Sequence, residues 1–126
     1  MNNRGQVLVV FIILLPIIIG LGALLIDMGF NRYQVNKLNN LNEMVISYGL
    51  NNIEDDNVYN KMISLMLDND SKIDNYKLEI KNKKISLTIN KTIDSILGKL
   101  LKIDNYYLES KYIGYLNDGQ KIIEKG

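Results

Sequence analysis

Neither cysteine nor histidine occurs anywhere in the 126 residues, and proline occurs once, at Pro16. Without cysteine there can be no disulfide, thiolate nucleophile or thiolate metal site; without histidine, imidazole acid–base catalysis and most zinc chemistry are excluded as well. Missing disulfides do not assign a compartment, because a small domain outside the cytoplasm can do without them if it packs well. Charge of one sign is also lacking. Fifteen basic and fourteen acidic residues leave a net charge of +1, so bulk electrostatics point to neither nucleic acid nor an acidic substrate. A Gly-rich phosphate loop, a nucleophile elbow and an internal repeat are absent too. Aspartates and lysines are present without a recognisable catalytic spacing, so we expect neither an enzyme nor a bound cofactor or metal.

What is present is one long apolar run. From Val7 to Ile26 the chain reads VLVVFIILLPIIIGLGALLI, with no charged side chain, and 16 of those 20 residues are Val, Leu, Ile or Phe. At about 1.5 Å per residue a helix of this length reaches roughly 30 Å, the thickness of a bilayer's hydrocarbon core. Each such side chain favours insertion by about 0.3–0.6 kcal/mol, so the total is roughly 5–10 kcal/mol before the smaller costs of Pro16 and the glycines. The rest of the chain is too short and polar to wrap a helix that is apolar on every side. The run therefore reads as a transmembrane helix with membrane lipid as its first partner.

Residues 1–6 form a short leader. Gly20-Leu21-Gly22 before Ala23 loosely fits a signal-peptidase site, but Leu24, Leu25 and Ile26 continue the apolar run past it, which favours an uncleaved anchor. Cleavage between Gly5 and Gln6 is a third reading, and it would leave the membrane helix at the mature N-terminus. Arg4 and the amino terminus nearly balance Arg32 and Lys37 under the positive-inside rule. Because the leader is too small to be a domain, it is placed in the cytoplasm and the C-terminal body outside a single-pass cell membrane anchor.

Arg4-Gly5, Phe11 and Pro16 stand at a characteristic spacing, and Asp27-Met28-Gly29 closes the apolar run with Asp-x-Gly. Leu38-Asn39-Asn40 followed by Glu43 continues the pattern. Over about the first fifty residues the chain resembles the TadE/TadG-like proteins, pseudopilin-type components of Flp (tight adherence) pilus assembly systems. The resemblance implies processing at Gly5 and Gln6, partners among other pilus-assembly or secretion components, and self-association through the N-terminal helix. Val10 departs from the family: it occupies the position, five residues past the cleavage glycine, where pilins commonly carry Glu. A carboxylate in lipid needs a partner such as a neighbouring subunit's amino terminus. Val10 removes that contact, which favours an assembly component over a major fibre subunit. Pro16 removes one backbone donor, a change that packing and local rearrangement absorb in membranes.

Beyond the membrane the periodicity becomes helical. Phe30, Tyr33, Val35, Leu38, Leu41, Val45 and Tyr48 form a stripe over residues 27–50, an amphipathic extension of the same rod. A second helix is expected at about Asn57–Leu67, with Val58, Met62, Ile63, Met66 and Leu67 on one side and Asp55, Asp56 or Asn57 as its cap. Glu54, Asp55 and Asp56 lack the EF-hand pattern and suit a helix start, and Asp68, Asp70 and Asp74 read as a solvated loop. Tyr76, Leu78 and Ile80, then Ile85, Leu87 and Ile89, alternate about Asn82-Lys83 as a β-hairpin with one apolar face. Its tip carries Lys81, Lys83 and Lys84, read as solvated. Thr92–Leu101 reads as a short helix or crossover with Ile93, Ile96, Leu97, Leu100 and Leu101 inward. Tyr106–Leu116 reads as a third strand, with Tyr106, Leu108, Tyr112 and Leu116 on one face. Its other face, with Tyr107, Ile113 and Tyr115, is expected to be partly covered. Residues 117–126 read as a polar tail that frays.

The fold class expected is α+β and pilin-like: a long N-terminal helix, a second helix and a small antiparallel sheet of about three strands, with residues 51–116 as an extracytoplasmic domain. Two other functions stay open. One is a single-pass anchored module holding an extracellular ligand, unrelated to pili; the other is a secreted adhesin-like domain.

Overall fold

The computed structural model of the protein describes residues 3–95 and 105–126. Helix α1 (Asn3–Asn51) is followed by α2 (Val58–Asn69), then by strands β1 (Asn75–Lys81), β2 (Lys84–Ile93), β3 (Tyr106–Asn117) and β4 (Gln120–Lys125). The strands form one antiparallel meander in the order β1-β2-β3-β4. The architecture is α+β, as the change of periodicity from 3.6 to 2 requires.

Helix α1 runs for 49 residues with Pro16 inside it, a rod of roughly 70 Å at 1.5 Å per residue. Only its far half packs on the domain. Leu38, Leu41, Asn42, Val45, Ile46, Gly49 and Leu50 are buried, a spacing of three and four that makes one face. The expected stripe is therefore correct in phase, with Phe30, Val35 and Tyr48 partly buried against the core, whereas Tyr33 falls off it and stays 60 % exposed. The helix stops where Asn52 takes over its last carbonyls: the Asn52 side-chain Nδ2 donates to Tyr48 O at 2.9 Å. Helix α2 buries Val58, Met62 and Met66, one residue per turn, against α1. Asn57 takes its N-cap position without a side-chain cap bond; instead Asp55 accepts from the Asn57 backbone N–H at 2.9 Å and pairs with Lys61 at 2.5 Å.

All buried side chains of the sheet's apolar core lie on one face. Leu78, Ile85, Leu87, Ile89, Ile93 and Leu108 meet α1 and α2 there. Two glycines set how closely the layers approach. A Cβ on Gly114 would collide with Ile46 Cγ2 and lie 3.1 Å from Leu50 Cδ1, and one on Gly49 would strike the Met62 side chain and sit 2.7 Å from Ile85 Cδ1. Register along the helix is fixed by Asn42, which is fully buried. Its Nδ2 donates to Leu87 O at 2.9 Å, Ser110 O at 3.0 Å and Ser110 Oγ at 3.2 Å. Sliding α1 by one residue would withdraw those donors from both central strands and strand buried polar groups.

Three expectations need correction. The sheet has four strands, because the supposed tail folds back as β4 rather than fraying. Asp118 (φ 51°) and Gly119 (φ 80°) make the reversal, and an Asp-Gly pair in the left-handed region matches the right-handed twist of a tight hairpin. The β1–β2 hairpin uses the same geometry at Asn82 (φ 52°) and Lys83 (φ 60°). Thr92 and Ile93 belong to β2, while Ile96, Leu97, Leu100 and Leu101 lie outside the described residues. Asp70 is not a loop solvated on its own: it meets Lys91 at 2.6 Å, both side chains only 12 % exposed. Burial alone would raise the Asp70 pKa, but hydrogen bonds from Lys91 and the Lys72 backbone N–H outweigh it and the net shift is downward. The outer face of β3 is partly covered, as expected: Ile113 and Tyr115 are half-buried, while Tyr107 is 81 % exposed.

Replacing Gly114 by Ala should destabilise the domain by about 1–3 kcal/mol through overpacking against Ile46, read as a lower urea midpoint of the full chain in detergent. Gly29→Ala meets open space and should be neutral or stabilising by up to about 1 kcal/mol, since Gly is the poorer residue inside a helix. Equal midpoints for the two variants would contradict the close approach of the layers.

Candidate functional site

The first half of α1 has no covering layer. Within residues 7–26 the large apolar side chains range from 41 % exposed at Leu15 to 69 % at Leu25. The helix is long and apolar enough to cross a membrane, and its most apolar window has no buried residue. A soluble domain hides its apolar helices; this one hides only the far half.

Arg4, Gly5 and Gln6 lie in the opening turns of α1, and Val10, Phe11 and Pro16 follow along its uncovered length. A methyl group added to Gly5 would meet nothing within 4 Å, and the same holds at Gly20, Gly22 and Gly29. The motif positions in the apolar half are thus not gathered into a pocket by the domain. Asp27 is different.

Asp27, the first residue past the apolar run, is only 1 % exposed. Its Oδ2 accepts from Ser95 Oγ at 2.8 Å and from Tyr106 OH at 2.8 Å. Ser95 follows the end of β2 and Tyr106 begins β3, so one carboxylate clasps both ends of the connection between the central strands to the helix where the apolar half stops. A buried carboxylate is costly without such donors. The Tyr106 phenol is held above its usual pKa, chiefly by its hydrogen bond to Asp27, then by burial and the nearby negative charge. Sequence reasoning singles out Asp27 but not its partners. The available signal is chemical: an acid at the edge of an apolar run requires hydroxyl or cationic donors, yet two donors 68 and 79 positions away have no local pattern.

Two of the three acids before α2 form ion pairs. Glu54 meets Lys83 at 3.0 Å and Asp55 meets Lys61, which ties the hairpin tip and the first turn of α2 to the connecting loop. Among the described residues no three acidic groups converge as a metal-ligand set.

The Asp27 clasp carries a pH signature. A phenol whose folded pKa lies above its ordinary value of 10.0 contributes stability that is complete below pH 10 and is lost as pH rises through the folded value. The stability difference between the wild-type chain and Tyr106→Phe should therefore be constant from pH 7 to 9 and shrink above pH 10, measured by urea midpoints. Tyr112, raised by burial and then by Glu43, keeps a residual slope in both proteins. A difference independent of pH would contradict the clasp.

No family model, curated protein or solved structure matches the chain, so its own geometry and sequence pattern carry the functional reading.

Proposed function

We infer that this protein is a membrane-anchored, pseudopilin-like component of a Flp or type IV-like pilus assembly or secretion apparatus. The observation that carries this reading is the division of α1: one continuous 49-residue helix whose first half is uncovered while its second half is packed into a four-stranded antiparallel sheet. A helix of this kind lets apolar halves associate in the bilayer while each outer domain docks to a neighbouring component. The Arg4-Gly5, Phe11, Pro16 and Asp27-x-Gly29 pattern supports the same assignment. In this reading the leader faces the cytoplasm and the α+β domain stands on the other side, held upright by the Asp27 clasp.

Val10 favours a static assembly role over that of a fibre subunit. Inserting an apolar side chain there costs nothing, but it provides no electrostatic contact to register each added subunit.

The test is genetic and chemical together. Deleting the gene in its native host should abolish surface fibres or secretion through the apparatus. The full chain should restore the function, and a chain lacking residues 7–26 should not. Intact mass of the membrane-fraction protein should give a start at Gln6 for a processed component or Met1 for a fixed one. A mature start at Ala23, or a deletion without effect on fibres and secretion, would overturn the assignment.

A further inference from the structure

Between α1 and the β3–β4 side of the sheet lies an open groove of about 670 Å³, lined by Asn31, Arg32, Asn36, Asn39, Tyr106 and Lys125 among others, with no Asp or Glu in its described walls. We propose that this groove binds the headgroup of an anionic phospholipid in the leaflet next to the domain. The proposal rests on the membrane-anchored reading above.

Its position is set by the helix. Arg32 lies six residues past Ile26, about 9 Å further along the axis at 1.5 Å per residue, while the headgroup layer extends roughly 5–7 Å beyond the hydrocarbon core on each side. Side chains of an α-helix lean toward its N-terminus, here toward the membrane. A long Arg side chain therefore reaches back into the layer of phosphates, the geometry in which such residues snorkel. Met28 and Gly29 complete the end of the groove nearest the apolar run.

Charge supports the same occupant. Lys61, Lys77, Lys83 and Lys91 each have an acidic partner. Among the described residues Arg32 and Lys125, like several other basic side chains, make no ion pair, but these two line one cavity that has no acidic residue in its described walls. Two cations without carboxylates favour a phosphodiester, and the Asn31, Asn36 and Asn39 amides supply donors and acceptors suited to a hydroxylated headgroup. Lys125 comes to the groove because β4 pairs it with Tyr112, which places it on the sheet face that carries α1. Tyr33 and Tyr107, 60 % and 81 % exposed, stand at the membrane end of the domain, where amphipathic aromatic rings settle at the interface.

The purified full chain in non-ionic detergent, offered equal amounts of phosphatidylglycerol and phosphatidylcholine, should retain phosphatidylglycerol by at least about fivefold in native mass spectrometry, near the worth of one basic residue at an anionic surface. The double variant Arg32→Gln, Lys125→Gln should bring the ratio to parity, while Lys81→Gln, Lys84→Gln at the hairpin tip should leave it unchanged. Unfolding midpoints establish that both variants are folded. Equal retention of the two lipids by the wild-type chain, or an undiminished preference in the Arg32 and Lys125 variant, would overturn the proposal. Inorganic phosphate competing as well as short-chain phosphatidylglycerol at the same concentration would make this a soluble-anion site and also overturn it. Flotation with liposomes after carbonate extraction separates the two levels: a chain that fails to float contradicts the anchor itself, whereas one that floats without lipid preference contradicts only the groove.

Discussion

Helix α1 must satisfy two surroundings with one unbroken backbone. Over its far half, the sheet and α2 remove Leu38, Val45, Ile46 and Leu50 from water; over its near half, nothing in the described domain does the same for Val7 to Ile26. Burying that many aliphatic side chains is worth tens of kcal/mol on the usual scale of about 25 cal/mol per Å², far more than the net stability of a small domain. The apolar half must therefore find another cover. Lipid or neighbouring apolar helices are the covers of matching length and chemistry.

The domain is built to hold that rod firmly. Gly49 and Gly114 let α1, α2 and the sheet come close enough for Met62 and Ile85 to fill the space between them. Asn42 then fixes the axial position by donating into both β2 and β3. Asp27 adds a second attachment next to the apolar half through Ser95 and Tyr106. Two attachments separated by fifteen residues of helix, about 22 Å, resist tilting in a way that one cannot. A displacement of the apolar half would thus be transmitted to the sheet.

Much of this was legible from residue order. The apolar run, the second helix and the Asn82-Lys83 hairpin each have a local signature of length or periodicity, and the structure places them as expected. Asn42 was legible only in part: it shares the phase of Leu38, Leu41 and Val45, and a polar residue on a core stripe signals a buried hydrogen bond. Gly114 inside a strand likewise signals close approach. Strand β4 was missed because Ile122 and Ile123 are adjacent rather than alternating, although Asp118-Gly119 was a sufficient turn signal. Tyr106 was legible as an inward-facing strand residue, but its pairing with Asp27, like that of Ser95, was not, because tertiary contact with a residue tens of positions away leaves no spacing to read. The outer face of β3 is partly covered, as its mixture of Tyr107, Ile113 and Tyr115 among charges suggested.

The central claim is that the two halves of α1 lie in different solvents, and the absence of cysteine makes it directly measurable. Single cysteines introduced at Leu14 and Leu24 in the apolar half, and at the exposed Met44 in the packed half, would carry spin labels on the full chain in bilayers. The account predicts that relaxation at positions 14 and 24 is dominated by dissolved oxygen and at position 44 by a water-soluble nickel chelate. Equal access of the chelate to positions 14 and 44 would contradict it, because the same solvent would then surround both halves of the helix.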